Sequence, residues 1–82
     1  MKLGRAYKLA ALAARHKAKA IVLLEKGDHE GARKEEIEYL DCVENIPSKH
    51  RLEVGPFLDA SLQAKLTSMA KERSNGSGKH SA

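Results

Sequence analysis

The chain has 82 residues, a formal net charge of +4 and 41% hydrophobic residues, so it holds at most one small domain. Ten Leu, three Ile and three Val supply one modest core, worth roughly 3–5 kcal/mol without covalent staples. The single cysteine, Cys42, excludes an internal disulfide, and no Cys/His pair has zinc spacing.

No apolar run approaches the ~20 residues of a spanning helix. Leu9 to Ala14 is also short for a signal peptide, and the charged Arg15-His16-Lys17 cuts it off. The expected location is cytoplasmic.

Residues 5–26 are predicted to form helix A, rich in the strong helix formers Ala, Leu, Lys and Arg. At 100° per residue, Tyr7, Ala10, Ala14, Ala18 and Ile21 share a face, with Ala13, Ala20 and Leu24 beside them. Lys8, Arg15, Lys19 and Lys26 occupy another arc, flanked by Arg5 and His16. Gly27 suits a left-handed helix end, and Asp28 can cap the free N–H groups of the next helix. A tight helical hairpin is predicted here.

Helix B is expected over residues 29–45. Its apolar stripe is Ala32, Tyr39, Val43 and Ile46, widened by Ile37 and Leu40, and its other face is acidic, with Glu35, Glu38, Asp41 and Glu44. Pro47 ends it, because the residue before proline avoids helical geometry. Residues 46–55 read as a connector, in which Ser48 to Val54 can make a short helical turn with Leu52 and Val54 touching the core. Gly55-Pro56 reads as the start of helix C, running to about residue 73 with Leu58, Leu62, Leu66 and Met69 as its stripe and Phe57 at the edge. Residues 74–82, SNGSGKHSA, read as a flexible Ser/Gly tail outside a single helical domain of residues 1–73. The predicted fold is all-α, with helix C packed across the A/B hairpin.

Leu23-Leu24-Glu25-Lys26-Gly27-Asp28-His29-Glu30-Gly31-Ala32 resembles the helix-turn-helix crossing of a tetratricopeptide repeat. It also resembles the first hairpin of three-helix microtubule-interacting-and-transport domains. The likeness covers ten residues, and His16, Lys19 and Glu36 depart from the repeat pattern. It implies the turn geometry and a protein-binding habit.

Charge is segregated along the chain. Residues 1–26 carry seven Lys/Arg and one acid, net +6, and residues 27–46 carry two basics and seven acids, net −5. Lys8, Arg15, Lys19 and Lys26 therefore read either as a stripe for phosphates or an acidic partner, or as a solvated face partly neutralised by helix B. Leu12, Val22 and Leu23 lie near or among them and give the same surface apolar anchors. These seven residues are the candidate partner-binding set.

Lys17 and Glu36 sit where apolar residues are expected, each eight to ten residues from the turn, and so come nearly level in an antiparallel hairpin. An inter-helix ion pair that helps set register is the structural reading; polar groups offered to a partner is the other. The four histidines share no ligand spacing and read as surface residues, and no serine sits in a nucleophile motif. No cofactor, metal or catalytic set is expected.

The function expected is a small non-enzymatic interaction module. It would act as inhibitor, adaptor or assembly factor on another protein, or on itself as a homodimer. Small helical chains of this kind are common among phage-encoded host modulators. The alternative is a nucleic-acid-binding protein using the basic stripe. A membrane-surface role ranks last, because helix A's apolar face is mostly alanine and supplies little area.

Overall fold

The computed structural model describes residues 2–71 in full. The element order is α1 (Leu3–Glu25), α2 (His29–Glu44) and α3 (Ser48–Ser81), with no strand among the described residues. The side chains of α3 beyond Lys71, and with them the expected tail at 74–82, lie outside the described residues.

The hairpin forms as the Gly27-Asp28 pair predicts. Gly27 adopts φ +84°, the left-handed region. Its N–H donates to the Leu24 carbonyl at 3.0 Å, and the Asp28 N–H donates to the Leu23 carbonyl at 2.9 Å. This pair of bonds is the Schellman closure of a helix C-terminus. Asp28 then caps α2, its Oδ1 accepting from the Gly31 N–H at 2.9 Å. Gly31 leaves room for that cap: a Cβ there would stand 2.5 Å from Asp28 Oδ2.

Helix α1 is the central element. Helices α2 and α3 each pack against it, and not against one another along their lengths. All six buried residues of α1 are alanines: Ala6, Ala10, Ala13, Ala14, Ala18 and Ala20. Small side chains let the two flanking helices approach closely. The Cα extents of 50 × 24 × 14 Å are those of an elongated, flattened bundle.

A core cluster lies where the chain passes from α2 to α3. Ile46 and Val54, both almost fully buried, close on Ala6 and Ala10, with Leu3, Tyr7, Leu9 and Leu58 packed around them. Tyr7 and Phe57 add an edge-to-face ring contact at 5.1 Å.

The expected layout is corrected between α2 and α3. The connector is three residues, Asn45 to Pro47, and α3 starts at Ser48 instead of Pro56. Two features favour the earlier start. Helical geometry carries Val54 into the core, and it brings Arg51 back over the end of α2. Arg51 Nε donates to the Ile46 carbonyl at 3.0 Å and Nη2 to the Glu44 carbonyl at 3.4 Å, satisfying acceptors that the helix end leaves free. Pro56 stands inside α3 and cannot donate to the Leu52 carbonyl. Leu52 and Pro56 are both exposed, so that carbonyl lies on the solvent side.

Leu52 does not touch the core; it is 91% exposed. Ile37, Leu40 and Leu24, expected to widen the inward faces, are also exposed, at 58%, 49% and 52%. Ile37 and Leu40 are on α2, which has α1 as its one packed neighbour and so buries only a narrow stripe, while Leu24 stands in the last turn of α1, beside the hairpin turn. The stripe of α3 does lie inward, with Leu58, Leu62, Leu66 and Met69 all half-buried.

Candidate interaction surface

One ion pair and one histidine–carboxylate contact tie α2 to α1. Lys17 Nζ donates to both carboxylate oxygens of Glu36, at 2.8 and 2.9 Å, as their level placement predicts. The ammonium also lies 5.1 Å from the centre of the Tyr39 ring, a cation–π distance. His16 Nδ1 lies 2.7 Å from Glu35 Oε2. Sequence reasoning missed this second pair, reading His16 as a surface residue and Glu35 as part of the outward acidic face. Counting from the turn does not reveal it: the count that levels Lys17 with Glu36 levels His16 with Ile37, and Glu35 stands nearer the turn.

These pairs leave the basic stripe alone. Among the described residues, neither Lys8, Arg15, Lys19 nor Lys26 is held in an ion pair, and the cross-hairpin carboxylates of Glu35 and Glu36 are engaged with His16 and Lys17. The stripe runs along the side of α1 that turns from the alanine seam. Lys8, Arg15 and Lys26 are exposed, and Lys19 is half-buried. Leu12 stands among them at 42% exposure, while Val22 and Leu23 are half-buried. The seven candidate residues are thus all at least partly accessible.

Tertiary structure adds residues that the linear stripe does not contain. Along the α1–α3 seam, Lys65 joins Lys8, Ala11, Leu12 and Arg15 around one shallow groove. A second groove continues it, with Arg15, Lys19 and Lys65 beside Ser68 and Met69. The result is one elongated channel with cations on both helices and apolar groups between them. Nothing in the sequence near Lys65 marks it; it belongs to this surface because α3 runs alongside α1.

On another part of the molecule, Tyr39, Val43, Ile46, Val54 and Leu58 line an apolar cleft at the α2–α3 junction. Arg51 also lines it, but its guanidinium is committed to the end of α2. Cys42 is buried, and burial pushes its thiol pKa up, with the Asp41 and Glu38 carboxylates adding to the shift. A thiol held neutral in this way is a poor nucleophile.

Among the described residues no helix is long and apolar enough to cross a membrane, and no group of His, Cys, Asp and Glu could hold a metal ion. Neither a family model, nor a curated protein, nor a solved structure matches this chain. The likeness to a tetratricopeptide hairpin therefore rests on the Gly27-Asp28 crossing alone.

Proposed function

We propose that this chain is a small cytoplasmic interaction module without catalytic activity, which grips an acidic protein surface through the α1–α3 channel and thereby acts as inhibitor, adaptor or assembly factor. The observation that carries the reading is the cationic stripe of α1, unpaired among the described residues, extended by Lys65 and set around an exposed Leu12. Unpaired cations raise association rates with acidic partners, and apolar anchors supply the lifetime of the complex.

Nucleic-acid binding is the second reading, favoured by the same cations. It fits less well because the aromatic rings are engaged elsewhere. Tyr7 and Phe57 contact each other, and Tyr39 lies beneath Lys17. Single-strand binders use such rings as stacking platforms.

Affinity purification of the tagged chain from its native host, at low and high salt, tests the reading, with Leu12→Asp and Lys8→Glu as variants. A protein partner lost with Leu12→Asp, and captured more slowly with Lys8→Glu, is the expected result. Tight duplex binding that ignores Leu12→Asp would overturn it, with log K falling against log salt at a slope of about −3.6 for roughly four phosphate contacts.

A further inference from the structure

We infer that the α1–α3 channel, given its reading as a protein-binding surface, receives helix α2 of a second copy of this chain.

Helix α2 carries a matching strip. Ile37, Leu40, Asp41 and Glu44 have i, i+3, i+4, i+7 spacing, so they line one side of the helix. Ile37 is 58% exposed and Leu40 is 49% exposed, and Asp41 and Glu44 are exposed too. Two large apolar side chains beside two carboxylates are the anchors of a helix-in-groove contact. No structural duty within the chain explains them, since Ala32, Cys42 and the half-buried Tyr39 and Val43 make the inward face of α2.

The receiving channel is complementary in charge and in length. Lys8 and Arg15 on α1 and Lys65 on α3 surround Leu12. From Lys8 to Lys19 the channel runs along about 16 Å of helix, and the strip from Ile37 to Glu44 spans about 10 Å. The strip also belongs to the one strongly acidic segment, net −5 over residues 27–46.

The contact must be made between copies. In one chain α2 and α3 flank α1 separately, and the strip faces away from α1, so it cannot reach its own channel. Each copy then offers one strip and one channel. Such a head-to-tail contact closes into a ring or extends into a chain, depending on the rotation between neighbours.

Sedimentation of the full chain over a concentration series tests this. Wild type should self-associate, and less so at high salt. The channel variant Lys8→Glu/Arg15→Glu and the strip variant Ile37→Ser/Leu40→Ser should each be monomeric. All four positions are exposed, and circular dichroism should show both variants folded. Mixed together, these two should form a complex of one copy each, because one intact channel and one intact strip remain. The milder Asp41→Asn and Lys8→Gln should each weaken wild-type association a few-fold, in line with exposed charge pairs, and provide the test should a double variant lose its fold. A wild-type chain that stays monomeric up to its solubility limit, variants that associate as wild type does, or folded double variants that fail to complement would overturn the inference. If the chain is monomeric yet Leu12→Asp abolishes capture of a host protein, only the second-copy inference falls. If neither effect is seen, the protein-binding reading falls with it.

Discussion

Shortening Val54 and Leu52 in turn tests the register of α3, because the two residues sit only two positions apart with opposite surroundings. Val54 is 1% exposed and packs with Ile46, Ala6 and Ala10, whereas Leu52 is 91% exposed. Val54→Ala removes the equivalent of two methylenes, about 1.6 kcal/mol of transfer free energy. A partly relaxed cavity raises the loss to about 2–3 kcal/mol. Leu52→Ala should change stability by no more than about 0.5 kcal/mol, as for other surface positions. A domain of this size has roughly 3–5 kcal/mol in all, so Val54→Ala removes about half of its stability. Urea denaturation monitored by far-ultraviolet circular dichroism reads both. With a slope of about 1 kcal/mol per molar urea, the midpoint should fall by about 2 M for Val54→Ala and under about 0.5 M for Leu52→Ala. Equal losses, or a larger loss at Leu52, would refute a helix starting at Ser48 and return residues 48–55 to an irregular connector.

Lys17 and Glu36 should show a coupling of about 0.5–1 kcal/mol in a double-mutant cycle read by the same denaturation. The pair is bidentate, but its side chains remain 31% and 38% accessible, so solvent screens it. Exchanging the two residues should cost less than either single reversal. Cys42 should react slowly with iodoacetamide at neutral pH, faster as pH rises through its raised pKa, and faster still once urea opens the fold. Burial is the larger cause of the raised pKa and the Asp41 and Glu38 carboxylates the smaller, so Asp41→Asn should lower it and speed alkylation at a given pH. Because the folded pKa is raised, the associated stabilisation is complete below the ordinary thiol pKa and is lost as pH rises through the folded value.

The hairpin was legible in the sequence because its determinants are local. Gly27 alone can relax into a left-handed helix end, Asp28 reaches only the N–H groups just ahead of it, and counting from that turn levels Lys17 with Glu36. The fold class, the inward alanine face of α1 and the basic arc come from the 3.6-residue period in the same way. What tertiary structure decided depends on groups far apart in the chain. Gly55-Pro56 is a sound local start signal, yet α3 begins at Ser48 because Val54 gains a place against Ala6 and Ala10 and Arg51 satisfies the end of α2. Ile37 and Leu40 have the composition of a core stripe, but which apolar residues are covered depends on how many helices surround each one, and α2 has a single neighbour. The basic stripe likewise becomes a channel only through Lys65 and Met69, which the parallel run of α3 brings beside it. Periodicity gives each helix its faces; the packing of one helix on another selects which of those faces water still reaches.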